Sequence, residues 1–439
     1  MKRKIMIVIL VCLITISALG CSNVQEPEEK LELTILYSSH SDFKRDFGGQ
    51  LATKFKNVSF KVVEYSSYLG TGMWNNLKYV PQSGGDWDTE ALLSLIEKEQ
   101  PDIIYFPASV SSTLLKSNLL LDSTEFLGSS PELSGIDSSY IEAMETMGDG
   151  RINVLPDSIA SQAIYYNKAI FDGYGFQEPE DFMDWDRVLE LSNMISERGA
   201  GEGVAGLLTP NHSIVDLFLQ IGKAQRLTWY SPGQDKVYFA EDSWKSILES
   251  IIQKYRLDSS LPDASQQASE AFINGKAAMV LDTFHLRDKL MNHRDVQWGV
   301  ITEPVGQPTS VFSSTLAFES LSGINKNTPN IDQAREVWAY LNGQQVARNK
   351  HNANVHRITL PVRSNLIKDN EARNLNAFYK LKPMVNSSMQ PDSLSISAES
   401  AVKSYLADQI PLIAKEELTI DEAVAVWETE VPKILMNNQ

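Results

Sequence analysis

"DTEALLSLIEKEQPDIIYFPA", residues 88–108, carries side by side the two periodicities that decide the fold. Leu92, Leu95, Ile96 and Glu99 recur at helical spacing behind Asp88, a residue suited to capping a helix start, and Pro101 stops the run. "DIIYFPA" (102–108) is then an unbroken apolar stretch, the pattern of a strand buried on both faces. Upstream, "LELTILYS" (31–38) and "VSFKVVEYS" (58–66) read as strands on either side of a helix expected over 43–56. Strand and helix alternate, which predicts an α/β fold with a parallel sheet and crossover helices.

A second alternating set follows. "AIYYN" (163–167), "AAMVLD" (277–282) and "VQWGVI" (296–301) read as strands. Trp185, Val188, Leu189 and Ile195 stripe one helix. Another, over 242–255 and capped by Asp242, carries Trp244, Ile247, Leu248, Ile251, Ile252 and Tyr255. The tryptophans and methionines of these stripes read as core. Thr419 and Glu422 form a capping box that opens a C-terminal helix through Ala423, Val424, Trp427 and Val431, which Pro432 is expected to kink or end. No repeat and no inter-domain linker stands out.

The 439 residues are 43% apolar and 22% charged, an ordinary globular composition whose length suggests two or three domains. The first twenty differ from the rest. Lys2, Arg3 and Lys4 precede "IMIVILVCLITI" (5–16) and then "SALG", the layout of a secretory signal (1–20), with an apolar run too short to span a bilayer. "ALGC" (18–21) resembles a bacterial lipobox, which implies that Cys21 is lipidated and, through the linker 21–30, anchors the chain to the extracytoplasmic face of the cell membrane. Cys12 leaves with the signal and Cys21 carries lipid, so the body has no disulfide, thiol nucleophile or thiolate metal site. Removing the three basic signal residues from 39 Lys+Arg leaves 36 against 56 Asp+Glu, a charge of about −20 that disfavours nucleic acid and anionic membrane surfaces as partners.

Catalytic fingerprints are missing: the mature body contains no GxSxG, HExxH or GxxxxGK[ST]. Of the six histidines only His351 and His356 are close, in the polar stretch "HNANVH", which reads as a solvated loop without the further ligands a metal needs. Asp86, Asp88 and Glu90 form a local carboxylate group of the kind expected near a helix start. No metal and no cofactor is expected.

Several segments together resemble the extracellular solute-binding proteins of ABC importers, the family 1 or maltose-binding-protein-like group. They are "PDIIYFPA" (101–108) with "LLKSNLLLD" (114–122), "GRINVLPDSIASQAIYYNKAIFDGYGF" (150–176), "WDRVLELSNMI" (185–195), "EAFINGKAAMVLDTF" (270–284), "SGINKNTPNIDQAREVWAYLNG" (322–343) and "LPVRSNLI" (360–367). The resemblance implies a two-lobe fold of the type II periplasmic-binding-protein kind, with lobe 1 from 31–150 and 283–315 and lobe 2 from 151–282 and 316–439. The lobes would be joined by a multi-segment hinge and would close around ligand in the cleft between them.

Strand ends nominate the contacts. Ser39 and His40 follow the first strand and Ser109 the strand 102–108, while Asp157, Ser158 and Ser161 lie where the chain first crosses. Asn211 and His212 occupy a loop that lines the cleft in relatives, and Asp282, Thr283 and Phe284 end the strand 277–282. The stretch 66–87 is dense in aromatics and glycines, and its Tyr68 and Trp74 are expected to stack on sugar rings. Hydroxyls, amides and carboxylates without an Arg/Lys cluster suit a saccharide. The expected function is therefore a monomeric, lipid-anchored receptor, not an enzyme, that delivers a saccharide to ABC permease subunits served by a separate ATPase. A surface glycan hydrolase would instead show turnover, and a sugar sensor or adhesion module would work without a permease.

Overall fold

The computed structural model describes residues 30–66, 89–209, 213–231, 234, 236–258, 267–353, 359–368, 373–385, 394 and 396–438. β1 (Leu31–Tyr37) and β2 (Val58–Glu64) enclose two short helices, His40–Asp46 and Gly48–Lys54, where one was expected over 43–56. The break falls at Phe47, which leaves helical geometry at φ −135° and buries its ring against Tyr37 and Tyr105. The helix Thr89–Glu99 leads to β3 (Ile103–Pro107). β4 (Leu155–Pro156), β5 (Ser158–Ala160) and β6 (Gln162–Asn167) then follow in close succession. Further along come β7 (Ala205–Leu208), the hairpin of β8 (Tyr230–Ser231) and β9 (Lys236–Val237), β10 (Ala277–Thr283) and β11 (Trp298–Thr302). The series ends with β12 (Phe312–Ser313), β13 (Ala317–Phe318), β14 (Ser320–Ile324), β15 (Leu360–Pro361) and β16 (Lys382–Pro383).

Two sheets organise these strands. The first runs β2-β1-β3-β14-β4 and the second β11-β6-β10-β7. β1 is parallel to β2 and to β3, with Ile35 opposite Ile103, as the alternation predicted. β14 is antiparallel to β3, and β6 is antiparallel to both β10 and β11, so neither sheet is wholly parallel. Strands that reach a sheet by crossing from the other one arrive running the opposite way.

This pairing departs from the expected division at 283–315 and 316–439. β11 completes the second sheet against β6, whereas β14 completes the first against β3 and carries the helix Ile331–Leu341 with it. The helices Ile396–Ala414 and Ile420–Asn437 pack with those of the second sheet. The capping box at Thr419 and Glu422 is formed, but the helix runs on through Pro432. Val431 and Leu435, fully buried on either side of that proline, hold the helix despite the lost hydrogen bond.

Side chains of the second sheet alternate between two cores with the period of a strand. Ile164, Tyr166, Met279 and Leu281 face the helices Trp185–Gly199, Ile214–Ala224 and Asp242–Asp258 together with the C-terminal pair. Ala163, Tyr165 and Val280 face the other way, into a core continuous with that of the first sheet. Trp185, Trp244 and Trp427 are core residues, each no more than 1% exposed. Between the two sheets three crossing segments pair in a small sheet of their own, β13-β5-β15, where Ile159 of β5 stands opposite Phe318 and Leu360.

Candidate functional site

Asp157 is the residue at which the chain leaves the first sheet, between β4 and β5, and Phe284 the first residue after β10 of the second. Together with Ser158 they line one cavity of about 250 Å³. The opposite wall comes from the helix Gln344–Ala353, whose Ala347, Lys350 and His351 lie at i, i+3 and i+4 on one face, and from Thr359–Pro361. Asn349 Nδ2 donates to Gln50 Oε1 at 2.8 Å and so ties that helix to the first sheet's side. Arg287 and Asp288, on the helix His285–Leu290, complete the lining from the second.

The charges in this cavity come as neighbouring pairs. Lys350 Nζ donates to Asp157 Oδ1 at 2.8 Å and stands 4.1 Å above the Phe47 ring. Arg287 Nη1 donates to Asp288 Oδ1 at 2.8 Å, and its guanidinium lies 5.7 Å from the Phe284 ring centre. Burial lowers the pKa of the half-buried His351, with the Arg287 charge acting in the same direction and Asp288 against it. Phe284 is itself 6% exposed and meets Phe378 edge to face at 5.4 Å, so it is a packed wall and not a free platform. Hydrogen-bonding groups of both kinds thus surround one aromatic ring.

The other nominated residues fare differently. The Ser39 hydroxyl caps the helix His40–Asp46 by accepting from the Asp42 N–H at 3.1 Å, and itself donates to the Asp42 carboxylate at 2.8 Å. His40 is exposed beside Glu64, whose Oε1 accepts its backbone N–H at 2.5 Å. Ser109 is exposed on a short turn after β3, and Ser161 is buried. Asp282 and Thr283 support the site from behind: Thr283 N–H donates to Asp282 Oδ1 at 2.7 Å and the Thr283 carbonyl accepts from Tyr165 at 3.1 Å. Burial raises the Asp282 pKa to about 6. None of these six side chains lines the cavity. Cys21, Tyr68, Trp74, Asn211 and His212 lie outside the described residues.

One sequence expectation needs correction. His351 is not a solvated loop residue but belongs to a helix and faces the cavity. Arg287 and Lys350, distant in sequence, both line the cavity, and each is paired there with a carboxylate, Asp288 and Asp157. The helical spacing of Ala347, Lys350 and His351 was the available signal for that face. Among the described residues no group of three or more His, Cys, Asp or Glu is placed to hold a metal, and no helix is long and apolar enough to cross a membrane.

A cavity between two α/β lobes, lined by residues at strand ends and crossings, defines a solute-binding protein. Residues 70–350 match the family of bacterial extracellular solute-binding proteins, and the chain belongs to it. Solved structures share its fold. The ABC substrate-binding protein Lmo0181 from Listeria monocytogenes, in complex with cycloalternan, is 14% identical with a TM-score of 0.56 over 93% of this chain and 100% of that one. A family 1 extracellular solute-binding protein from Bifidobacterium longum subsp. infantis is 15% identical with a TM-score of 0.59 over 93% and 99%. Maltose-bound MalE3 from T. maritima is 16% identical with a TM-score of 0.53 over 93% and 99%. No curated protein sequence matches.

Proposed function

We propose that the chain captures a saccharide in the cavity at Asp157, Ser158 and Phe284 and delivers it, unaltered, to the permease of an ABC importer driven by a separate ATPase. The observation that carries this reading is the cavity itself. Polar side chains from both lobes converge with one aromatic wall beside the crossing strands, an arrangement suited to hydroxyl groups on a ring with apolar faces. The saccharide-bound relatives of the same fold support it. In this reading the first lobe takes 31–156 and the segment 320–353, and the second takes 162–302 and 396–437. The protein acts as a monomer, and Tyr68, Trp74, Asn211 and His212 are further contacts on the sequence argument alone.

Titration of the chain lacking residues 1–21 with maltose, cycloalternan and a panel of neutral mono- and disaccharides tests the site. One-to-one binding is expected, with the melting temperature rising in the presence of ligand and the sugar recovered unchanged. Turnover of the sugar would place the chain among glycan hydrolases, and binding without a permease requirement in cells would make it a sensor. Anchoring rests on Cys21, the one acylable thiol left after signal removal. Cys21→Ser is expected to release the protein from the membrane fraction, and retention of that variant would refute the anchor.

A further inference from the structure

Lys350 and Asp157 form a buried ion pair at the cavity wall, their side chains 7% and 15% exposed. Such a pair contributes little net stability, because desolvating both charges offsets most of their attraction. What it fixes is direction. The ammonium is held from one side by the Phe47 ring, which is 1% exposed and wedged against Tyr37 and Tyr105 at 5.5 and 5.8 Å. Asp157 is held at its backbone, where its N–H donates to the Ser320 carbonyl at 3.1 Å. Oδ1 is taken by Lys350. Oδ2 has no donor among the described residues.

We propose that Lys350 is a positioning residue for ligand capture. By occupying Oδ1 it makes Asp157 a one-sided acceptor, with Oδ2 presented to a saccharide hydroxyl, and it keeps that carboxylate oriented before the ligand arrives. This rests on the saccharide reading of the cavity. A charge-assisted hydrogen bond held ready in this way should matter by roughly 10- to 100-fold in Kd.

The test compares Lys350→Met, Asp157→Asn and the double variant, using whichever of maltose, cycloalternan or the panel sugars binds the unaltered protein most tightly. Lys350→Met leaves a buried carboxylate without its cation, so the melting temperature should fall by roughly 5–10 °C and affinity should drop 10-fold or more. The double variant removes both charges and should recover most of the melting temperature. Its affinity should stay low, because the charged acceptor is gone. Recovery of stability without recovery of affinity supports positioning. A double variant that regains both, or Lys350→Met with undiminished affinity, overturns it and leaves the saccharide reading standing. Should Lys350→Met fail to fold, Asp157→Asn and the double variant decide alone, and undiminished affinity in either overturns the proposal. If the unaltered protein binds none of the sugars, the saccharide reading falls and this proposal falls with it.

Discussion

Asp282 is the last residue but one of β10, its side chain largely withdrawn from water, and burial lifts its pKa from 3.8 to about 6 against the opposing pull of the Thr283 N–H and the Lys289 charge. A carboxyl whose pKa is higher folded than unfolded favours folding while protonated, so its contribution is fully present below about pH 4 and is lost as pH rises through 6. At pH 8 the charged Asp282 then costs the fold on the order of 3 kcal/mol. Asp282→Asn keeps an oxygen for the Thr283 N–H and removes the charge. Its unfolding free energy should exceed that of the unaltered protein by up to about 3 kcal/mol at pH 8 and match it at pH 4. Urea midpoints at the two pH values measure this, and an equal gain at both would show that the charge is not the cause. At this scale the site was only half legible. Asp157, Ser158 and Phe284 follow from strand ends, because where a strand stops is a local property. Lys350 and Arg287 do not, because their roles depend on which helices face each other across the cavity.

Elements were more legible than their assembly. The helical stripe at Leu92, Leu95 and Ile96 and the apolar run at 103–107 form the predicted helix and strand, since burial on one face or on both leaves its own period in the sequence. Trp244 was recognisable as core, but not the surface that receives it. The structure packs its ring onto Gly222 of the helix Ile214–Ala224 so closely that a Cβ there would come within 2.0 Å of the indole. The absence of a side chain on one helix makes room for the largest side chain of another, a relation that neither stripe reveals alone. β11 and β14 show the same limit. "VQWGVI" announces a strand and β14 was not read as one, but pairing β11 with β6 and β14 with β3 is in either case a tertiary choice, settled by where the chain crosses.

At the scale of the whole molecule, motion is constrained by those crossings. β5, β13 and β15 are not independent tethers but are hydrogen-bonded to one another, Ala160 opposite Ala317, Ile159 opposite Phe318 and Leu360, and Ser158 opposite Pro361. Three paired strands resist shear and separation more than bending along the row, so the two lobes should rock about this small sheet and not swivel freely. Asp157 precedes and Ser158 begins its central strand, and both line the cavity, so the proposed ligand contacts would lie directly at the bending axis. A saccharide that touches Phe284 and Arg287 on one side and Lys350 and His351 on the other is therefore better satisfied when the lobes draw together, and its differential affinity for the closed form shifts the population. Small-angle scattering should then show the radius of gyration of the chain lacking residues 1–21 falling on saturation, towards the value of about 22 Å expected for a compact chain of this length. Superimposable curves with and without saturating sugar, in a sample whose binding is confirmed by titration, would mean that the small sheet is a rigid strut and that the cavity takes its ligand without closure.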